Sequence, residues 1–126
     1  MNAPPAGLPP RYNVLGVGVS AVDMDASVRV LLDAAARGAS GYVCVTGVHG
    51  VMESGRDTDL LRIHNASLLT VPDGMPLVWI ARFRGVAGVG RVYGPDLMRR
   101  ILQATGAGPT PTLAAASHFL LGSTTE

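Results

Sequence analysis

The chain has 126 residues and a formal net charge of +1, with 48% apolar but only 15% charged residues. These values fit one modest domain or part of a larger one, and the near-zero net charge excludes strong electrostatic attraction to nucleic acid. The low charged fraction indicates a buried face, which a homo-oligomer contact, a missing half of the protein or a membrane-proximal surface would each explain.

The N-terminal residues 1–11 are rich in Pro and Ala and lack the basic start and apolar stretch of a signal peptide, so we expect a disordered lead-in. The single cysteine, Cys44, cannot form an internal disulfide, which predicts a reducing, cytoplasmic setting. No apolar stretch approaches the roughly 20 residues that a membrane-spanning helix needs.

Apolar runs alternate with helical patterns along the rest of the chain, and each alternation predicts a strand followed by a helix. In chain order, the predicted elements are a strand over 12–19, a helix over 23–37, a strand over 42–46, a helix that begins near 48 or restarts near 57 and reaches 65, a strand over 68–71, a helix over 76–83, a strand over 91–93, a helix from 94 through 102, and a strand over 118–121.

Cap and turn residues support these boundaries. Asp23 or Asp25 can cap the first helix, and Gly38 can end it. Pro76 can take the first position of a helix, where its missing N–H costs nothing. The run 42–46 is apolar almost throughout, which predicts a strand that is covered on both faces.

The alternation predicts an α/β fold with a mostly parallel sheet, flanking helices and right-handed crossovers. Residues 122–126 follow the last predicted strand directly, where a covering helix is expected, so we expect the C-terminal part of the domain to be missing. Ligands of such sheets bind in the crevice beyond the carboxyl ends of the strands. The loops after the strands are therefore the places where functional residues are expected.

Asp73 follows one buried strand and precedes a helix. Pro72 favours extended backbone before it and Gly74 lets the backbone turn sharply, so Asp73 is expected on a short, stiff loop. A carboxylate there can take a proton from an attacking hydroxyl. Pro-Asp-Gly is also a very common turn tripeptide, so a plain turn remains the alternative.

Thr46 ends another apolar strand. Its hydroxyl can bind a sugar or phosphate oxygen, or it can cap the following helix. His49 lies within one turn of Thr46, where it is either a ligand contact or a structural histidine. If the two strands are neighbours, Thr46 and Asp73 face one crevice.

The segment Arg91–Leu97 is a third junction between a strand and a helix. Gly94 allows close backbone approach, the helix that follows can receive an anion, and Arg91 can pair with a diphosphate. The alternative is a plain connection in which Asp96 interacts favourably with the helix dipole.

Several other patterns are weaker. Residues 16–21 match a loose dinucleotide-binding pattern, but the glycines lie within a predicted strand and no acidic residue follows about 20 positions later. The chain has no lysine and hence no Walker loop. The pairs Asp23/Asp25 and Asp57/Asp59 are typical of helix starts. The three scattered histidines argue against a metal site, and we expect His64 to lie on the surface or in packing.

Three stretches together resemble the WecG/TagA/CpsF family of bacterial glycosyltransferases. They are Val45–Met52, Ala66–Val78 and Arg91–Met98, and their spacing from Val14–Val17 also fits. The resemblance implies an incomplete Rossmann-like glycosyltransferase domain over residues 12–126. By the same similarity, Asp73 matches the family's proposed base and Thr46 matches its substrate-binding threonine.

The resemblance also implies the reaction. A hexose or an N-acetylmannosamine-type sugar moves from a UDP-sugar to an undecaprenyl-diphosphate-linked glycan, with inversion, without a metal and without a cofactor. The product feeds cell-surface polysaccharide or teichoic acid biosynthesis, at the inner face of the plasma membrane with peripheral membrane association. Many members have an asparagine shortly after the threonine, whereas this chain has Gly47-Val48-His49.

On this basis the candidate substrate-binding residues are Thr46, His49, Gly74, Arg91 and Gly94, and the candidate catalytic residue is Asp73. Two other classes of function stay open at this point. One is an inactive, truncated sugar-nucleotide-binding fragment, and the other is an assembly module that docks a partner through an apolar face.

Overall fold

The structure is a computed structural model that describes residues 8–105. The predicted strand over 118–121 lies outside the described residues. In chain order, the elements are β1 (Arg11–Val14), β2 (Val17–Ser20), α1 (Met24–Ala36), β3 (Val43–Thr46), α2 (Val48–Ser54), α3 (Thr58–Ala66), β4 (Leu69–Pro72), α4 (Met75–Phe83) and α5 (Gly94–Thr105).

The first predicted strand is in fact a hairpin. β1 and β2 pair antiparallel through a tight turn in which Leu15 and Gly16 have φ values of 52° and 96°. The Asn13 side chain accepts a hydrogen bond of 2.8 Å from the Gly16 N–H. Two consecutive left-handed residues match the twist of a two-residue hairpin turn, so the prediction of one strand over 12–19 was wrong.

β3 and β4 form a parallel pair, and α2 and α3 lie in the connection between them. β2 lies beside β4, where the Thr70 N–H donates to the Ser20 hydroxyl over 2.9 Å. The described residues therefore form a mixed α/β fold with two two-stranded sheets and flanking helices. A mostly parallel sheet was predicted, whereas one of the two described pairs is antiparallel.

The hydrophobic core has two parts, and the apolar residues of β4 belong to the second. The first lies between the hairpin, α2 and α4, and its buried residues are Tyr12, Val14, Val17, Val19, Val51, Leu77 and Ala81. The second lies between β4, α1 and α5, and its buried residues are Val22, Leu69, Val71, Val92 and Leu97. Each fully buried Val or Leu stabilises the fold by about 1.5–3 kcal/mol, so Leu69 and Val71 hold β4 in the second part of the core.

β4 is buried along its whole length, but β3 is not. Val45 is 44% exposed and Val43 and Cys44 are only half-buried, so neither face of β3 is fully covered within residues 8–105. The prediction that 42–46 is covered on both faces was therefore wrong, and β4 is the strand that has this property.

The helices agree well with their predicted limits. Asp23 caps α1 by accepting from the Ala26 N–H over 2.8 Å, and Asp57 caps α3. The structure has a helix at each of the two predicted starting points after β3, because α2 begins at Val48 and α3 begins after its cap Asp57. Within residues 8–105, no helix is long and apolar enough to cross a membrane.

The segment before α5 differs from its prediction. Residues 91–93 do not form a strand. One hydrogen bond of 2.7 Å, from the Val92 N–H to the Pro72 carbonyl, joins this segment to the end of β4. α5 begins at Gly94, so the segment 91–93 is too short to form the repeated hydrogen bonds of a strand pair.

Candidate active site

The loops that follow β3 and β4 meet at one edge of the fold. Thr46 is opposite Pro72 in the parallel register, and the Asp73 N–H donates to the Thr46 carbonyl over 2.8 Å. A Cβ atom placed on Gly74 would lie 3.8 Å from the Gly47 Cα atom. The two predicted junctions are thus joined through their backbones, at the carboxyl ends of neighbouring parallel strands.

The Asp73 carboxylate is only partly satisfied. Its Oδ1 atom is buried and has no hydrogen-bond partner, and it is the one such side-chain atom found within residues 8–105. The side chain as a whole is 31% exposed. A buried polar atom without a hydrogen bond costs about 1–3 kcal/mol, and native structures contain few of them. This atom is therefore a strong candidate for a group that a ligand completes.

Arg91 is the cation beside Asp73. Its Nε donates to the Asp73 carbonyl over 2.8 Å and lies 3.6 Å from Oδ1. The guanidinium is also 5.3 Å from the centre of the Tyr93 ring, within the range of a cation–π contact. These contacts anchor Arg91 through Nε and one face of the guanidinium, and neither Nη group has a hydrogen bond to residues 8–105.

Thr46 is buried, with 3% of its surface exposed. The N-cap of α2 is Gly47, and no side chain caps this helix, so the helix-cap alternative for Thr46 was wrong. A Cβ atom on Gly50 would lie only 2.3 Å from the Thr46 hydroxyl oxygen. Gly50 therefore makes room for this hydroxyl, which the sequence reading missed; a glycine four residues after the threonine is the pattern that marks it.

His64 lies in the same region. It is 6% exposed, and its Nδ1 atom is 3.0 Å from the Leu60 carbonyl and 3.1 Å from the Ser54 hydroxyl. Because a carbonyl only accepts hydrogen bonds, Nδ1 carries a proton. Nε2 is 3.8 Å from the Cβ position of Gly50, on the side of Thr46. His64 is thus a packed residue, as one of the two alternatives predicted.

The other three predicted site residues are His49, Gly94 and Gly74. His49 is exposed in the first turn of α2. Gly94 begins α5, and a Cβ atom there would lie 3.3 Å from a methyl group of Val45, so α5 starts against β3. Gly74 is the N-cap of α4 with φ −121° and ψ 145°. This backbone is open to any residue, so the expected glycine-dependent sharp turn was wrong.

Within residues 8–105, no three His, Cys, Asp or Glu side chains are grouped closely enough to hold a metal ion. Burial raises the pKa of the Cys44 thiol, although the Ser67 hydrogen bond and the charge of Arg11 oppose this effect. A thiol with a raised pKa is a poor nucleophile, so Cys44 is interpreted as a packing residue.

The sequence was also compared with known proteins. A profile of the family described as "Glycosyl transferase WecG/TagA/CpsF family" matches residues 12–126. No curated protein matches the chain. The profile match includes all three junctions between strands and helices described above.

Proposed function

The chain belongs to the WecG/TagA/CpsF family of glycosyltransferases, and we propose that it moves a hexose or an N-acetylmannosamine-type sugar from a UDP-sugar to an undecaprenyl-diphosphate-linked glycan. The observation that carries the proposal is the buried Asp73 Oδ1, which accepts no hydrogen bond within residues 8–105 and lies at the joined ends of two parallel strands. The described residues form a mixed α/β fold, and we propose that residues 12–126 belong to a Rossmann-like domain.

Asp73 is proposed as the general base of a single displacement. The acceptor hydroxyl donates its hydrogen bond to Oδ1, which has no other donor within residues 8–105. As the acceptor oxygen forms its bond to the anomeric carbon, the proton moves to Asp73. The bond between that carbon and the diphosphate oxygen breaks, and UDP leaves with the electron pair. Attack from the face opposite UDP inverts the anomeric centre.

Arg91 is proposed to bind the diphosphate of the donor. Its Nε is held by the Asp73 carbonyl, so the guanidinium is oriented before the ligand arrives and its Nη groups face the bound anion. An arginine fork binds phosphate oxygens in two places at once, which is a way to stabilise the departing UDP without a metal. The turn at Gly94–Asp96 is proposed to add backbone N–H donors.

Thr46 and its neighbours are proposed to bind the sugar. The hydroxyl of Thr46 lies over Gly50 at the end of β3, next to the loop that carries Asp73. Gly74 lines the same edge, and His49 is an exposed side chain one turn further along. The proposed setting is the cytoplasmic side of the membrane, where the reaction contributes to cell-surface polysaccharide or teichoic acid biosynthesis.

The experiment that tests this function is a transfer assay on the full chain. A panel of UDP-hexoses and UDP-N-acetylhexosamines is incubated with a polyprenyl-diphosphate-linked acceptor in the presence of EDTA, and UDP release and glycan mass are followed. We expect UDP and extended glycan in equal amounts, with an anomeric configuration opposite to that of the donor. UDP binding without any transfer would favour a non-catalytic sugar-nucleotide-binding protein, and a retained configuration would exclude the single displacement.

A further inference from the structure

His64 is a buried, titratable side chain that the proposed mechanism does not use. It is 6% exposed and lies in the last turn of α3, where its backbone carbonyl accepts hydrogen bonds from the side chains of Arg11, Ser67 and Thr70. Its imidazole ring reaches α2, where it contacts Ser54. The ring is therefore held in one place between two helices, and each of its nitrogen atoms has defined neighbours.

The neighbours of Nδ1 set the hydrogen-bonding direction of the ring. Nδ1 lies 3.0 Å from the Leu60 carbonyl and 3.1 Å from the Ser54 hydroxyl oxygen. The carbonyl can only accept, and the Ser54 hydroxyl donates its one hydrogen to the Gly50 carbonyl over 2.9 Å. Both neighbours therefore accept from Nδ1, which carries the proton. In the neutral ring, Nε2 is then an acceptor.

Nε2 and the Thr46 hydroxyl border the same space. One point, the Cβ position that Gly50 leaves empty, lies 2.3 Å from the Thr46 oxygen and 3.8 Å from Nε2 of His64. Neither atom has a hydrogen bond to another residue within 8–105. Neither is fully enclosed, since Asp73 Oδ1 is the one enclosed side-chain atom without a partner in that range. An acceptor of fixed direction thus lies beside a hydroxyl whose hydrogen is uncommitted.

We propose that His64 is a positioning residue for Thr46, and that Nε2 accepts the hydrogen of the Thr46 hydroxyl when the sugar nucleotide binds. The hydrogen bond is direct or passes through one water molecule, which is energetically almost equivalent. Hydrogen bonds of active sites are often long before the ligand arrives and tighten in the complex. Gly50 is required in this arrangement, because a side chain there would separate the two groups.

The pairing determines what Thr46 binds. With its hydrogen on Nε2, the Thr46 oxygen offers only lone pairs, so the ligand group on it is a hydrogen-bond donor. A sugar hydroxyl or an acetamido N–H has a hydrogen to donate, whereas an ionised diphosphate oxygen has none. The inference rests on the proposed function and deepens it, because it assigns Thr46 to the sugar of the donor and not to its diphosphate.

The test compares two substitutions of His64 in the full chain by calorimetry at about pH 8, the upper end of the range in which histidines titrate. His64→Asn keeps an amide N–H for the Leu60 carbonyl but has no atom at the Nε2 position. We expect its affinity for the UDP-sugar to fall about tenfold, with unchanged affinity for UDP, which has no sugar to lose. His64→Gln places an amide oxygen near the Nε2 position and should restore most of the loss.

A double-mutant cycle shows whether His64 acts through Thr46. Thr46→Val keeps the shape of the side chain and removes its hydroxyl. The double variant with His64→Asn should bind the UDP-sugar no more weakly than Thr46→Val alone, because the two residues form one unit. Additive losses would overturn the inference, and so would equal losses for UDP and the UDP-sugar, which a merely structural histidine would produce.

Nitrogen NMR of the unsubstituted protein tests the same claim without relying on the folding of any variant. With the His64 signals assigned, we expect a protonated Nδ1 and an unprotonated Nε2. The Nε2 signal should shift when the UDP-sugar is added and stay in place when UDP is added. A protonated Nε2, or the same response to both ligands, would overturn the inference.

Failure of this inference is distinguishable from failure of the transferase proposal, since neither binding nor NMR needs turnover. An intact cycle in a protein that transfers no sugar would keep the role of His64 and remove the enzyme. Sugar transfer accompanied by additive losses would do the reverse. Absence of binding to every UDP-sugar would overturn both.

Discussion

Two polar regions of this chain are built in opposite ways. Beneath β4, Arg11 donates to the carbonyls of Gly18, His64 and Ser67, and the His64 carbonyl also accepts from the Ser67 and Thr70 hydroxyls over 2.7 and 2.9 Å. At the candidate active site, Asp73 Oδ1 has no hydrogen bond.

This contrast shows how the fold treats buried polar atoms. In the network around Arg11, which only holds elements together, the buried carbonyls and hydroxyls have hydrogen-bond partners. The network forms although partial burial of the guanidinium lowers the pKa of Arg11. The chain can therefore satisfy buried polar groups, and Asp73 Oδ1, which has the charge of Arg91 nearby but accepts no hydrogen bond within residues 8–105, is the exception. Four predictions test the contrast, in order of decreasing expected effect.

The first prediction concerns the satisfied network. Arg11→Met should lower the free energy of unfolding by about 2–4 kcal/mol, because three part-buried carbonyls each lose a hydrogen bond from a charged donor. Urea denaturation measures the change. The control is Arg37→Met, which removes an exposed ion pair with Asp33 and should alter stability by about 0.5 kcal/mol or less. Equal effects of the two substitutions would contradict the structural role given to the network.

The second prediction concerns Arg91, the cation beside Asp73 at the candidate active site. Arg91→Lys keeps the positive charge but loses the planar fork and the Nε bond to the Asp73 carbonyl. We expect KM for the UDP-sugar to rise about 10- to 100-fold, with little change in stability. Steady-state kinetics measure it, with Arg99→Lys on the exposed face of α5 as the control. An unchanged KM would remove Arg91 from the donor site.

The third prediction tests the space around Thr46. Gly50→Ala places a methyl group where the Thr46 hydroxyl lies, and overpacking of this kind costs about 1–3 kcal/mol. Gly47→Ala is the matched control, because no atom lies within 4 Å of its Cβ position, and at an N-cap it should cost about 1 kcal/mol or less. Thermal unfolding compares them; a Gly50→Ala protein as stable as Gly47→Ala would show that the hydroxyl is free to move away.

The smallest effect concerns Tyr12, whose hydroxyl donates to the Leu77 carbonyl over 3.0 Å. Burial raises its pKa to about 12, above the value of about 10 in an unfolded chain. The stabilisation is complete below pH 10 and is lost as the pH rises from about 10 to 12, since only the unfolded phenol ionises there. Tyr12→Phe should lower the free energy of unfolding by about 1 kcal/mol at neutral pH, and it should reduce the fall in stability between pH 10 and 12. Urea denaturation over this pH range measures both, and the same loss of stability in Tyr12→Phe and the unchanged protein would contradict the prediction.

The sequence predicted the helices and the β3–β4 junctions well, because caps such as Asp23 and Asp57 act locally. It did not predict the hairpin, since the turn depends on Leu15 adopting a left-handed conformation that leucine rarely favours. The strand predicted over 91–93 was wrong because a single bond to Pro72 does not form a ladder.

The candidate site was only partly visible in the sequence. Thr46 and Asp73 lie at one edge because β3 and β4 are parallel neighbours. The sequence predicted this proximity on the condition that the two strands are neighbours. The hydrogen bond from Arg91 to the Asp73 carbonyl joins residues 18 positions apart, so no local pattern indicates it. The space that Gly50 leaves for the Thr46 hydroxyl does have a local pattern, a glycine four residues after the threonine, which the prediction did not use. The roles of all these residues in catalysis and binding stay predictions.

The most direct measurement of the central claim is the transfer rate of Asp73→Asn beside its affinity for UDP. Asp59→Asn is the control, because Asp59 is an exposed acid in the first turn of α3 that pairs with Arg62 and has no proposed role at the site. We predict that Asp73→Asn lowers transfer at least about 100-fold while UDP binds as tightly as before. Equal transfer by the two variants would contradict the assignment of Asp73 as the base.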